Sequence, residues 1–129
     1  MLFIHCDISD EQQVSRAMKK AADHFGGIDV LVNNAGILHY ATVTETEEKD
    51  WNLLMNVNLK GAFLCAKHAI PYMQKAGEGV VINMSSVQAY VVQEKVAAYV
   101  TTKAALIGLT QSIAVDLSLI HISEPTRPY

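Results

Sequence analysis

A tyrosine and a lysine lie four residues apart in the segment Tyr99-Val100-Thr101-Thr102-Lys103. If this segment is helical, both side chains project from the same face. A phenol is a poor base near neutral pH, and a nearby ammonium group favours its ionised form. The pair could therefore exchange a proton with a substrate oxygen. The same spacing also arises often by chance, so the pair alone does not establish an active site.

Three further polar features could take part in such chemistry. Ser86 follows an apolar run, and its hydroxyl could bind a carbonyl oxygen or merely begin a loop. Asn58 is a poor helix former within a helical pattern, so it indicates either a kink whose freed backbone groups bind water or an ordinary surface position. The cluster Asn33–Gly36 has a common turn composition, but its small residues would also let the backbone approach a ligand.

The apolar pattern predicts three strands that alternate with three helices. The predicted strands are Leu2–Cys6, Ile28–Val32 and Gly79–Met84, each too short for a helix. The predicted helices run from Ser9, with Gln12 completing a capping box, to Gly26-Gly27, from about Glu47 to about Gln74, and from about Ala97 to about Asp116. This order indicates an α/β fold, a doubly wound parallel sheet with helices on both faces.

The strand ends predict where the polar residues meet. In parallel α/β sheets, ligands bind beyond the carboxyl ends of the strands. Asp7, the Asn33–Gly36 turn and Ser86 each follow one of the predicted strands. We therefore expect these three features to lie along one edge of the sheet.

Composition excludes several classes of function. The 129 residues suffice for one domain, and the net charge of −3 gives no electrostatic reason to expect nucleic acid as a partner. Cys6 and Cys65 form no CxxC or Cys/His cluster, which predicts free thiols in a reducing cytoplasm. The histidines show no ligand spacing, so we expect no metal site. We also expect no secretory signal and no membrane span.

Together these features resemble the short-chain dehydrogenase/reductase family in order and spacing. The match runs from about residue 2 to residue 116 and is far more specific as a whole than in any one piece. It comprises Asp7 after a strand, Asn33-Asn34-Ala35-Gly36, Asn58 within Val57–Gly61, Ser86, and Tyr99-x-x-x-Lys103. The resemblance implies a partial Rossmann-like domain over residues 1–116. It also implies an oxidoreductase that transfers hydride between NAD or NADP and a carbonyl or alcohol substrate.

The resemblance further implies a role for each matched residue. Tyr99 would be the general acid in carbonyl reduction and the general base in alcohol oxidation. Lys103 would favour the phenolate and bind the nicotinamide ribose. Ser86 would orient the substrate oxygen, and Asn58 would hold a water in a proton relay. The remaining cofactor contacts would come from Asp7 and Ile8 at the adenine and from Asn34, Ala35 and Gly36 in the cofactor cleft. A homo-tetramer or dimer through the helices at about 47–76 and 97–117 is also implied.

The chain departs from the family pattern at both ends. It begins at what resembles the third strand and contains no GxGxxG or TGxxxGxG turn, so we expect the pyrophosphate turn and the residue that selects NAD or NADP to be missing. Leu117–Arg127 matches the translation of a transposon-type sequencing adapter, which predicts a non-native tail at 117–129 rather than an ordinary exposed helix end. We therefore assign the function to a longer parent enzyme and expect the isolated chain to be inactive.

A non-catalytic protein is the alternative to an enzyme. Such a protein would keep the fold and sense nicotinamide or interact with another partner. Asn58, Ser86, Tyr99 and Lys103 occur together, and a pure binder has no need of a complete proton-transfer set. The residues therefore favour the enzyme, without indicating its substrate.

Overall fold

The computed structural model describes residues 1–120, in which helices and strands follow largely the predicted order. The elements are α1 (Glu11–Phe25), β1 (Val30–Asn33), α2 (Glu48–Leu54), a π-helical segment (Met55–Lys60), α3 (Gly61–Ala76), β2 (Val80–Asn83), a short 3₁₀ helix (Val87–Ala89) and α4 (Ala97–Ile120). The three predicted helices and the second and third predicted strands are thus confirmed, with boundaries shifted by a few residues.

The sheet of the described residues consists of β1 and β2, which pair in parallel from Val30 opposite Val80 to Asn33 opposite Asn83. Leu31 and Val81 on one face pack into the core with α1, α3 and α4. The opposite face is apolar and exposed, and comprises Val30, Val32, Val80 and Ile82. Within residues 1–120 the helices therefore cover one face of the sheet, although the sequence predicted helices on both.

The prediction of a strand at Leu2–Cys6 was wrong, because this segment does not join the two-stranded sheet described for residues 1–120. Its burial nevertheless alternates as in a strand: Leu2, Ile4 and Cys6 are half-buried, while Phe3 is exposed. Apolar alternation is a local property, whereas a strand also requires a neighbouring backbone to pair with. The segment supplies core side chains but no hydrogen-bonded ladder.

α1 begins after Asp10, and the prediction of Ser9 as its cap was wrong. The Asp10 carboxylate accepts hydrogen bonds from the backbone N–H groups of Gln12 and Gln13, at 2.9 and 3.2 Å. Ser9 instead donates its hydroxyl to the Asp7 carboxylate at 2.7 Å. A carboxylate at this position satisfies free N–H groups and also interacts favourably with the positive end of the helix dipole.

Glycines end two of the helices, and one helix runs further than predicted. Gly26 after α1 and Gly77 after α3 adopt the left-handed conformation, with φ of 81° and 85°. α4 continues to Ile120, so the predicted helix end near Asp116 was wrong. Neither glycine nor proline lies between Asp116 and Ile120 to stop the helix. Residues 121–129 lie outside the described range, and the proposed tail boundary stays a prediction.

The core forms where α1 and α3 pack on β1. Its buried apolar residues include Val14, Leu31, Leu64, Ala69 and Met73. Cys65 lies among them, and burial raises the pKa of its thiol to about 11. Cys6 packs against the same core, and both cysteines are free. Because the thiolate is the reactive form, Cys65 is an inert packing residue at neutral pH.

Gly61 allows the segment after residue 7 to lie close against the start of α3. A β-carbon on Gly61 would be 2.5 Å from Cδ1 of Ile8. We expect Gly61→Val to lower the free energy of unfolding of the full-length protein by about 1–3 kcal/mol through overpacking, as measured by chemical denaturation.

The matched control is Gly108, a helical glycine in α4 whose β-carbon would meet nothing within 4 Å. Gly108→Ala should leave the free energy of unfolding unchanged or raise it by about 0.4–1 kcal/mol, because alanine restricts the unfolded chain. Equal destabilisation by the two substitutions would contradict the close contact at Gly61.

Candidate active site

α4 brings Tyr99 and Lys103 together, as their spacing predicted. Nζ of Lys103 lies 5.7 Å from the centroid of the Tyr99 ring. Tyr99 is half-buried, and only 6% of Lys103 is exposed. The ammonium group donates a hydrogen bond of 2.8 Å to the carbonyl oxygen of Met84, just beyond β2. The structure thus places a largely buried ammonium group beside the Tyr99 ring.

The start of α4 is held at the carboxyl end of the sheet by two connections. Ala41, in the loop after β1, forms an isolated parallel bridge with Val96, and its N–H donates to the Lys95 carbonyl at 2.8 Å. Ser85, after β2, donates its hydroxyl to the Lys103 carbonyl at 2.7 Å. The helix that carries Tyr99 is therefore fixed to the segments that follow both strands.

Ser86 lies at the same edge of the sheet, two residues beyond Met84. Its hydroxyl oxygen accepts a hydrogen bond of 3.1 Å from the Gln88 N–H and so caps the short 3₁₀ helix, which packs against α4. This bond uses the oxygen as an acceptor, so the hydroxyl proton can still be donated to a ligand. Ser86 thus begins the loop, and its role in orienting a substrate oxygen stays a prediction.

Asn58 is buried in the π-helical segment, where the sequence indicated a helix irregularity. Its Oδ1 accepts the Ile37 N–H at 2.8 Å, and its Nδ2 donates to the Ile37 carbonyl at 2.9 Å and to Oγ1 of Thr102 at 3.2 Å. The side chain therefore links the loop after β1 to α4. π-Helical turns occur often at functional sites. The water-holding role of Asn58 stays a prediction.

Loss of the Asn58 amide should destabilise the protein. We expect Asn58→Ala to lower the free energy of unfolding by about 1–3 kcal/mol, because buried backbone groups of Ile37 would lose their partners. Asn56 lies exposed in the same π-helical segment, and Asn56→Ala should change the free energy by no more than about 0.5 kcal/mol. Chemical denaturation of both variants measures the difference, and equal values would show that the Asn58 bonds contribute nothing.

The turn after β1 passes directly beside the ammonium group. A β-carbon on Gly36 would lie 3.3 Å from Nζ of Lys103 and 3.6 Å from Oδ1 of Asn58. Asn34, Ala35 and Gly36 are exposed, so this turn presents backbone rather than bulky side chains at the sheet edge. Glycine at position 36 leaves room between the turn and the two polar side chains.

An asparagine pair that sequence reasoning missed joins the two strand ends. Nδ2 of Asn33 donates to Oδ1 of Asn83 at 2.8 Å, and Nδ2 of Asn83 donates to Oγ1 of Thr110 at 2.9 Å. The residues are paired in register. The sequence could have indicated this pair, because an asparagine ends each of the two parallel strands. The pair supports the sheet edge on which the site is built.

Ile8 packs against Gly61 at the start of α3, and Asp7 precedes it in the chain. Asp7 accepts hydrogen bonds from the hydroxyl and N–H of Ser9, and these bonds lower the pKa of its carboxyl group. Ile8 lines a cavity of about 170 Å³ together with Asn34, Ala35 and Asn58. The structure therefore brings one predicted adenine contact, two residues of the turn and the predicted relay residue around a single space.

A larger cavity, of about 490 Å³, lies between α3, β2 and α4. Its lining includes Gly77, Glu78 and Gly79, which precede β2, and Met73 and Ile113 from the flanking helices. In the part of the chain that is described, none of the predicted site residues lines it.

The family model for short chain dehydrogenases matches residues 1–123. Since this match covers most of the chain, the chain belongs to the short-chain dehydrogenase family.

The known proteins that are similar to this chain include several oxidoreductases. An uncharacterised oxidoreductase of Thermotoga maritima is 44% identical over 88% of this chain and 45% of its own length. The 3-oxoacyl-acyl-carrier-protein reductase FabG of Staphylococcus aureus is 40% identical over 89% of this chain and 47% of its own length. The structure of ElxO with NADP bound superposes with a TM-score of 0.87 at 39% identity, covering 91% of this chain and 48% of that one. The chain thus spans about half the length of these relatives.

Residues 1–120 contain no helix that is both long and apolar enough to cross a membrane. No group of three or more histidine, cysteine, aspartate or glutamate side chains is arranged there to hold a metal ion.

Proposed function

We propose that the full-length protein containing this chain is an oxidoreductase that transfers hydride between NAD or NADP and a carbonyl or alcohol substrate. The observation that carries the proposal is the buried Lys103 ammonium 5.7 Å from the Tyr99 ring centroid, at the carboxyl end of β2. Family membership, the relationship to a 3-oxoacyl reductase and the likeness to an NADP-bound structure support it.

The residues at the sheet edge fit a nicotinamide dinucleotide. An ammonium group has three N–H donors, and Lys103 uses one of them on Met84, so others can reach the ribose hydroxyls. Gly36 leaves space beside this ammonium group that a β-carbon would reduce. Lys103 and Tyr99 would hold the nicotinamide ribose, and the exposed Asn34, Ala35 and Gly36 would line the cleft. Asp7 and Ile8 would contact the adenine. When bound, the cofactor supplies or accepts the hydride.

The protein's own contribution is the movement of a proton. In carbonyl reduction, the Tyr99 phenol donates its proton to the substrate oxygen, which the Ser86 hydroxyl orients by a hydrogen bond. Lys103 stabilises the phenolate that remains, through its positive charge. Asn58 holds a water through which the phenolate is protonated again. In alcohol oxidation the same groups act in reverse, with Tyr99 as the base.

We further propose that the full-length enzyme is a homo-tetramer or dimer in the cytoplasm. The two long helical segments carry exposed apolar side chains, among them Trp51, Leu53, Phe63 and Val115, which would be covered by a second copy. The two free cysteines suit a reducing compartment. Light scattering of the purified full-length protein measures the number of copies, and a monomer would contradict this arrangement.

The function is tested by turnover with defined probes. The purified full-length protein is mixed with NADH or NADPH and a panel of small and medium-sized ketones and aldehydes. We expect loss of the reduced cofactor together with formation of one alcohol per cofactor oxidised. Binding of cofactor without turnover on any carbonyl or alcohol would instead support the alternative, a non-catalytic nicotinamide sensor.

A further inference from the structure

Thr102 is completely buried, although it is a polar residue on the helix that carries the candidate catalytic pair. Its Oγ1 accepts a hydrogen bond from Nδ2 of Asn58 at 3.2 Å and donates one to the backbone carbonyl of Tyr99 at 2.7 Å. The hydroxyl therefore acts as acceptor and donor at once. It connects the buried amide of Asn58 to the helical turn from which the phenol projects.

Two other threonines of α4 form comparable hydrogen bonds elsewhere on the helix. Thr101 is exposed, and its hydroxyl donates to the Ala97 carbonyl four residues earlier, at 2.8 Å. Thr110, also exposed, donates to the Leu106 carbonyl at 2.7 Å and accepts from Nδ2 of Asn83 at 2.9 Å. Thr102 is instead completely buried, donates to a carbonyl three residues earlier and accepts from the buried Asn58. Both acceptors are normal for a helical threonine, but only the bond from Thr102 ends at Tyr99.

The connection continues beyond Asn58 to the turn at the sheet edge. Asn58 holds both backbone groups of Ile37, the residue that follows the proposed cofactor turn. One chain of hydrogen bonds thus runs from the loop after β1, through Asn58 and Thr102, to the backbone of Tyr99. A displacement at either end would therefore have to be taken up by these bonds.

We propose that Thr102 is a positioning residue, whose hydroxyl sets the placement of the Tyr99 phenol relative to the cofactor turn. The proposal rests on the proposed function, since it assigns Thr102 a part in the same reaction. Because Thr102 is completely buried, its hydroxyl is not available to a bound ligand. It acts through the Tyr99 backbone, and a small misplacement of a reacting group lowers the rate strongly.

The test compares hydroxyl-free and hydroxyl-bearing side chains in the full-length enzyme. Thr102→Val keeps the shape and removes the hydroxyl, Thr102→Ser keeps the hydroxyl and removes the methyl group, and Thr101→Val is the matched control. kcat is measured per cofactor-binding site, counted by titration with NADPH or NADH, so that a loss of folded protein does not appear as a loss of rate. KM and the cofactor dissociation constant are measured alongside.

We expect kcat of Thr102→Val to fall about 10- to 100-fold, with KM and cofactor affinity little changed, while Thr102→Ser and Thr101→Val retain kcat within about threefold. If Thr102→Val does not fold, comparing kcat of Thr102→Ala with kcat of Thr102→Ser isolates the contribution of the same hydroxyl group. An unchanged kcat without the hydroxyl, or an equal loss in Thr102→Ser, would overturn the proposal. Absence of turnover in the wild-type protein would refute the proposed function itself. An active wild type whose kcat does not depend on the Thr102 hydroxyl would refute only the role of Thr102.

Discussion

Tyr99→Phe in the full-length protein is expected to lower kcat by about 10²- to 10⁴-fold, the usual contribution of a positioned general acid or base. Phenylalanine keeps the ring that lies 5.7 Å from Nζ of Lys103 and removes only the oxygen that carries the proton. Cofactor affinity should change by less than the rate, because Lys103 and the turn at Gly36 are untouched. Steady-state turnover and a cofactor titration on the same preparation measure the two quantities.

Tyr72→Phe is the control for this substitution. Tyr72 is a half-buried tyrosine of α3, so the variant loses a phenolic oxygen from a helix that does not carry the catalytic pair. Its kcat should equal that of the wild type. Full activity of Tyr99→Phe would show that the Tyr99 phenol is not the proton donor. It would also show that the Tyr99–Lys103 pair is not catalytic.

Lys103→Met is expected to lower kcat by about 10²- to 10³-fold, comparable to the loss of one preorganised group that stabilises developing negative charge. Methionine has a similar length but carries no charge and leaves the Met84 carbonyl without its 2.8 Å hydrogen bond. Cofactor binding should also weaken, since we propose that the same ammonium group holds the ribose. Turnover and cofactor affinity are measured as for Tyr99→Phe.

The two substitutions should give different patterns. Tyr99→Phe lowers turnover far more than cofactor affinity, whereas Lys103→Met lowers both strongly. Lys20→Met, at an exposed lysine of α1, controls for the loss of one positive charge and should change neither. Unaltered cofactor binding in Lys103→Met would show that its ammonium group does not hold the ribose, and unaltered turnover would show that it does not assist the phenol.

Local patterns in the sequence predicted much of this fold. The helical spacing of Tyr99 and Lys103 and the glycine at the end of α1 depend only on neighbouring residues, and both were predicted. Whether Leu2–Cys6 pairs as a strand was not predictable in the same way, because strand pairing requires another backbone beside the segment. The choice of Asp10 over Ser9 as the cap depends on Asp7, which binds the Ser9 hydroxyl.

The hydrogen bonds that support the site depend on contacts between distant segments. Nothing in the sequence alone states that Asn58 meets Ile37, since their contact requires the loop after β1 to return to the π-helical segment. Thr102 could have been found. Ala98, Thr102 and Leu106 are spaced four residues apart and are all at most 2% exposed, so the apolar stripe of α4 places a threonine in the interior.

The contact between Ile8 and Gly61 limits the space beside Asn58. Gly61 lies three residues after Asn58, and residues at this spacing share a helix face, so Ile8 packs close to the position of the Asn58 amide. Ile8 and Asn58 accordingly line the same cavity of about 170 Å³, together with Asn34 and Ala35. Because no β-carbon separates Ile8 from the helix backbone at Gly61, a larger residue at position 61 would displace Ile8 and change the volume of this cavity.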